Sequence, residues 1–227
     1  MVAVPRNKLN FPTSMKTTLR YVSRIDMQPT STAVVFASYR ANGMFDPEVT
    51  LGGHQPRGFD EFMNVYSTYT VTGAKVSVNF MYEGYDGPST TATAGNLVKN
   101  SGADSSEPPA LTPIACGLHK SVVAIGAGNA EQQMERDKTS WTFLTGQGET
   151  KSLSTSATVQ EFYGKQALVG SVGYTGSAVQ DPSEPVYFHV WAGRVSNDFA
   201  AEKTKVVAYV TITYDAVFTE PKNLNAS

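Results

Sequence analysis

The chain has 227 residues, 41% of them hydrophobic, and a formal net charge of −2 at pH 7, enough apolar material for one sizeable core. Its apolar runs are far too short to span a bilayer, and the opening residues MVAVPRNKLNFP lack the continuous apolar stretch of a secretion signal, so synthesis in the cytosol is expected. A lone cysteine, Cys116, excludes an intrachain disulfide and a Cys-based zinc site.

The 19 glycines and 12 prolines, with plentiful Val, Tyr, Ser and Thr and little helical spacing, indicate an all-β chain with long loops. Read at period two, the sequence predicts eight strands. In the first, residues 15–27, Lys16, Thr18, Arg20, Val22 and Arg24 share one face, while Leu19, Tyr21, Ile25 and Met27 share the other. The second, 32–41, alternates Val34 and Phe36 with Val35 and Tyr39. The third, 69–82, places Val76, Val78, Phe80 and Tyr82 together. The fourth, 111–125, is interrupted by Pro113 and Gly117. The fifth and sixth, 139–145 and 150–162, flank Gly146-Gln147-Gly148 as the arms of an expected hairpin. The seventh spans 186–195. The eighth, 205–219, aligns Val206, Ala208, Val210, Ile212, Tyr214, Ala216 and Phe218, the cleanest core pattern in the chain. Trp141 and Trp191 fall inside strands and are expected in the core.

Eight antiparallel strands in two packed sheets are the count of a single jelly roll, so the expected fold is an all-β, eight-stranded antiparallel jelly roll with long connecting loops. The expected layout is a short basic segment over 1–14, the jelly-roll domain over 15–220 and a tail over 221–227. Three connections, 42–68, 83–110 and 163–185, are longer than a compact domain tolerates without a role. The middle one is small and polar, suited to a surface tip. The first carries Phe45, Phe59, Phe62, Met63 and Tyr66, too apolar for water, and so belongs either at an interface or packed on its own domain, where Phe62, Met63 and Tyr66 have helical spacing.

Arg6, Lys8, Lys16, Arg20 and Arg24 all precede the first acidic residue, Asp26, leaving the remainder of the chain with an acidic surplus. They are the candidate nucleic-acid-binding residues, because a cationic row on one strand face holds phosphates without reading sequence. The plainer reading is a solvated strand face. Catalytic readings fare poorly. His54, His119 and His189 lie in separate segments without metal-ligand spacing; Asp46 with Glu48 and Asp60 with Glu61 are acid pairs of a kind that binds Ca²⁺ between copies, although Asp46 before Pro47 is more simply a turn former; and Gly126 to Gly128 reads as a turn. No catalytic residue, metal or cofactor is expected, and no enzymatic activity.

Three segments then follow one another: Tyr39-x-x-x-Gly43-x-Phe45-Asp46-Pro47, Gly53-His54-Gln55-Pro56-x-Gly58-Phe59-Asp60, and Tyr66-x-x-Tyr69-x-Val71-x-Gly73-x-Lys75-Val76. In this order they resemble the capsid protein of circular Rep-encoding single-stranded DNA viruses, the circovirus-like group, and the similarity extends at lower specificity through most of the chain. The resemblance implies a major capsid protein that self-assembles into an icosahedral shell, sixty copies in a T=1 arrangement, around single-stranded DNA or another encapsidated nucleic acid. It implies a virion protein that passes from host cytosol to nucleus before assembly, without membrane insertion, and it names no receptor. Phe45, His54, Phe59, Phe62 and Tyr66 become the candidate subunit-interface residues. The long Arg-rich arm usual in that group has no counterpart in MVAVPRNKLNFPTS. Two alternatives stand beside it: the capsid protein of a satellite or small RNA virus, since phosphate contacts do not distinguish the polymers, and a carbohydrate-binding, lectin-like β-sandwich using Trp141 or Trp191.

Overall fold

A computed structural model describes residues 12–30, 33–49, 53–85, 113–126, 128–195 and 204–222. In chain order its elements are β1 (Ser14–Met27), β2 (Val35–Arg40), α1 (Phe59–Val65), β3 (Tyr66–Tyr85), β4 (Ile114–Ser121), α2 (Ala130–Met134), β5 (Thr139–Leu144), β6 (Thr150–Ala157), α3 (Val159–Tyr163), β7 (Gly176–Ser177), β8 (Tyr187–Arg194) and β9 (Thr204–Pro221). They form two antiparallel sheets. The larger is ordered β1-β9-β3-β6 with β7 paired to β3, and the smaller is ordered β2-β8-β4-β5. Leaving aside the two-residue β7, these are the eight strands of a jelly roll, wound so that most connections cross from one sheet to the other.

The alternation in β9 decides the packing. Val206, Ala208, Val210, Ile212, Tyr214, Ala216 and Phe218 are all buried, and Val76, Val78 and Phe80 stand opposite Ile212, Val210 and Ala208 on β3. Facing them from the smaller sheet are Ile114, Cys116, Leu118, Phe188, Val190 and Ala192, in the same continuous core. Burial pushes the Cys116 thiol well above its ordinary range, so it is a packing residue. A second, smaller cluster of Val34, Ala115, Ile125, Ala130 and Trp191 covers the opposite side of the smaller sheet.

Four expectations need correction. β5 and β6 do not pair as a hairpin: β5 bonds to β4 in the smaller sheet and β6 to β3 in the larger, so the turn at Gly146–Gly148 carries the chain across the sandwich. The sixth strand ends at Ala157, because the Thr158 hydroxyl accepts from Glu161 N at 3.2 Å and starts α3, which Gly164 closes at φ 65°. The fourth strand is shorter than expected, Ile114–Ser121, its further residues having turned away to cover the smaller sheet. Trp191 is fully buried, but Trp141, on the edge strand β5, is 45% exposed.

Candidate nucleic-acid interface

In β1 the odd residues Leu19, Tyr21, Ile25 and Met27 point into the core, which turns Lys16, Arg20 and Arg24 outward. Cross-strand register carries that outward face over the whole sheet. Arg20 stands opposite Thr213, Thr213 opposite Lys75, and Lys75 opposite Ser156. Four residues along β1, Arg24 stands opposite Tyr209, Tyr209 opposite Asn79, and Asn79 opposite Ser152. Between these rows lie Val22, Thr211, Ser77 and Ser154. The face is a polar field of hydroxyls and amides crossed by Lys16, Arg20, Arg24 and Lys75.

Asp26, beside Arg24, and Asp215, in the row between Lys16 and Arg20, share this face. Asp26 holds Arg24 at 2.9 Å, and Asp215 accepts from Thr18 Oγ1 at 2.8 Å. Among the described residues, no carboxylate pairs with Lys16, Arg20 or Lys75. Such cations, exposed and uncompensated, are the groups that exchange solution counterions for phosphate. Arg6 and Lys8 lie outside the described residues. Lys75 and Tyr209 escape a strand-by-strand reading, because only the register of three strands places them beside Arg20 and Arg24; the visible signal was that each alternates out of phase with its strand's buried side chains.

The described residues of the connection 42–68 pack on their own domain. Gly58 at φ 90° starts α1, Phe59 meets Tyr69 edge-on at 5.3 Å, and Met63 is buried beside it. Phe59 and Tyr66 are about 1% exposed, spent in the chain's own core. Phe62 is half-buried, stacked on Phe218 at 4.8 Å, and with Met15, Glu61, Val65 and Tyr66 it lines an apolar hollow of about 180 Å³. Phe45 is also half-buried, and exposed His54 stacks on Tyr21 at 4.7 Å.

Polar bonds lock the same region. Asp181 accepts from Tyr69 Oη at 2.8 Å, from Phe45 N at 3.0 Å and from Asp46 N at 3.1 Å, with Arg40 at 3.4 Å. Burial, then the neighbouring Asp181, pushes the Tyr69 phenol well above its usual range. Tyr21 donates to Glu48, and burial with that carboxylate raises its pKa to about 12.

On the far side of the smaller sheet, a polar row crosses all four strands: Ser38, His189, His119 and Thr139 stand successively opposite one another. The imidazoles stack at 5.6 Å. His189 Nδ1 lies 2.7 Å from Ser38 Oγ and Nε2 lies 2.9 Å from Ser121 Oγ, while His119 Nδ1 lies 2.9 Å from Thr139 Oγ1. Burial, then the charge of its partner His119, lowers His189 to about 4, and burial with Arg136 nearby lowers His119. Sequence spacing placed the three histidines apart, and pairing of β4 with β8 unites two of them. Among the described residues, no group of three His, Cys, Asp or Glu side chains is placed to hold a metal ion.

No family model matches the chain, and no curated protein matches it. Among solved structures it is similar to the Macrobrachium rosenbergii nodavirus semi-empty virus-like particle, at 9% identity over 94% of this chain and 97% of that one, with a TM-score of 0.42. It is also similar to Desmodium yellow mottle tymovirus, at 10% identity over 94% and 93% with a TM-score of 0.41. A third likeness is to the decameric BFDV capsid protein, at 8% identity over 90% and 99% with a TM-score of 0.40. The jelly-roll assignment rests on the hydrogen-bonded strand order itself.

Proposed function

We propose that the chain is a capsid subunit that packs against copies of itself into an icosahedral shell around single-stranded DNA. The observation that carries this reading is the outward face of the larger sheet, where Lys16, Arg20 and Lys75 stand without acidic partners among the described residues in a field of hydroxyls. Such a surface holds a phosphate backbone irrespective of sequence, as packaging requires.

The segments that carry the sequence resemblance support it from another side. Residues 39–47 and 53–60 close on one another through Tyr21, Glu48, Tyr69 and Asp181, and they leave Phe45, His54 and Phe62 with surface to offer a neighbouring copy.

The test is electron microscopy of the purified protein, followed by nuclease typing of whatever nucleic acid its particles protect. Uniform spheres whose contents are destroyed by DNase are expected. RNase-sensitive contents would place the shell around RNA instead. One observation favours a second reading: Trp141 and Phe143 form an exposed edge-on pair at 5.2 Å, a surface that a carbohydrate-binding β-sandwich would use. Small particles that bind a glycan array, and lose binding in Trp141→Ala, would select it.

A further inference from the structure

We propose that the outward face of the larger sheet takes unpaired nucleotides, with Tyr209 as the platform on which a base stacks. This deepens the nucleic-acid-enclosing role above and rests on it. Tyr209 is 44% exposed in the middle of a sheet face, directly between Arg24 and Asn79. Exposed Val22 and Met81 flank it diagonally, Val22 opposite Thr211 and Met81 opposite Val207. The ring therefore lies in a small apolar island, with Arg24 on the neighbouring strand and Arg20 and Lys75 two rows away.

That arrangement fits one class of ligand. A duplex turns its base faces inward and offers a protein only groove edges and phosphates, so a flush aromatic ring on a broad sheet has nothing to stack on. A single strand exposes base faces, and cations with an interleaved aromatic are the general means of holding it without sequence preference. Asn79 adds a donor and an acceptor for the edge of the stacked base. Its amide oxygen also accepts from Ser152 Oγ on the next strand. Arg24, which pairs with Tyr209 across the two strands, is held by Asp26 at 2.9 Å.

The experiment titrates the purified full chain against a dye-labelled single-stranded oligonucleotide and against the corresponding duplex. The single strand should bind more tightly. Tyr209→Ala should weaken single-strand binding about tenfold, whereas Tyr209→Phe should stay within about twofold, because stacking needs the ring and not the hydroxyl. The salt slope should be unchanged in Tyr209→Ala and shallower by about 1 in Arg20→Ala, which removes a phosphate contact. Photocrosslinking with a 5-bromouracil-substituted strand should mark Tyr209. Equal affinity for single strand and duplex, or undiminished single-strand binding by Tyr209→Ala, would overturn the inference. Particle formation, followed by sedimentation, keeps the two readings apart. Crosslinking at Tyr209 without particles sinks the capsid role alone; protected nucleic acid with full oligonucleotide affinity in Tyr209→Ala sinks the stacking platform alone.

Discussion

The indole of Trp191 lies across Gly117, so closely that a β-carbon on Gly117 would sit 2.2 Å from Cε2 and Cζ2 of the ring. Gly117 pairs with Trp191 on β8 and with Trp141 on β5. The missing side chain makes the slot that one tryptophan fills, and the other stays at the sheet edge. Gly117→Ala should therefore displace Trp191 and lower stability by ~1–3 kcal/mol, the usual cost of overpacking. Thermal melting and quenching of Trp191 fluorescence measure it.

Ile212 is fully buried on the central strand β9, and Thr211 faces outward beside it. Ile212→Ala should cost ~2–5 kcal/mol in denaturant unfolding. Thr211→Val should change little. Equal losses would mean that the strand register is wrong.

Phe59 and Phe62 lie three residues apart on α1, the first buried in the core and the second half-buried at the surface. Phe59→Asp should unfold the protein, since a carboxylate replaces a core ring at a cost above ~3 kcal/mol. Phe62→Asp should leave a folded, soluble subunit that sediments as a small species. Normal particles from Phe62→Asp would remove this residue from any subunit contact.

Lys16→Ala, Arg20→Ala and Arg24→Ala combined leave the inward face of β1 intact. Particles should still form, carry less nuclease-protected nucleic acid, and lose what they carry at lower salt. Undiminished content in intact particles would make the row a solvated strand face.

Acid should weaken the fold through the smaller sheet. His189 titrates at about 4 in the folded protein against 6.5 ordinarily, and His119 is lowered with it, so both are neutral when folded and more readily protonated when unfolded. The contribution of His189 is present above pH ~6.5 and is lost as pH falls from there towards 4, by at most about 1.4 kcal/mol per pH unit, and that of His119 declines in the same direction. Unfolding midpoints between pH 7 and 4 test this, and His189→Gln should flatten the decline.

Which side of most strands is dry can be read from the residues alone. Alternation at period two is local, and burying one face of β1, β3 and β9 follows from hydrophobicity alone, so Leu19, Val78 and Ile212 were legible as core and Arg20 as surface. The helical spacing of Phe62, Met63 and Tyr66 also signalled α1, whose last turn it overlaps, although Tyr66 itself opens β3.

Which strands neighbour one another was decided by the tertiary structure, because hydrogen-bonded partners lie far apart in the chain and the alternation is the same whichever partner is chosen. Residues 139–157 look like a hairpin locally, yet β5 and β6 go to opposite sheets because each completes a sheet already begun by β4 and β3. The same long-range pairing joins His119 to His189 and sets Tyr209 between Arg24 and Asn79. It also spends Phe59 inside the core and leaves Trp141 in water, since burial depends on what packs above a residue and not on its own hydrophobicity.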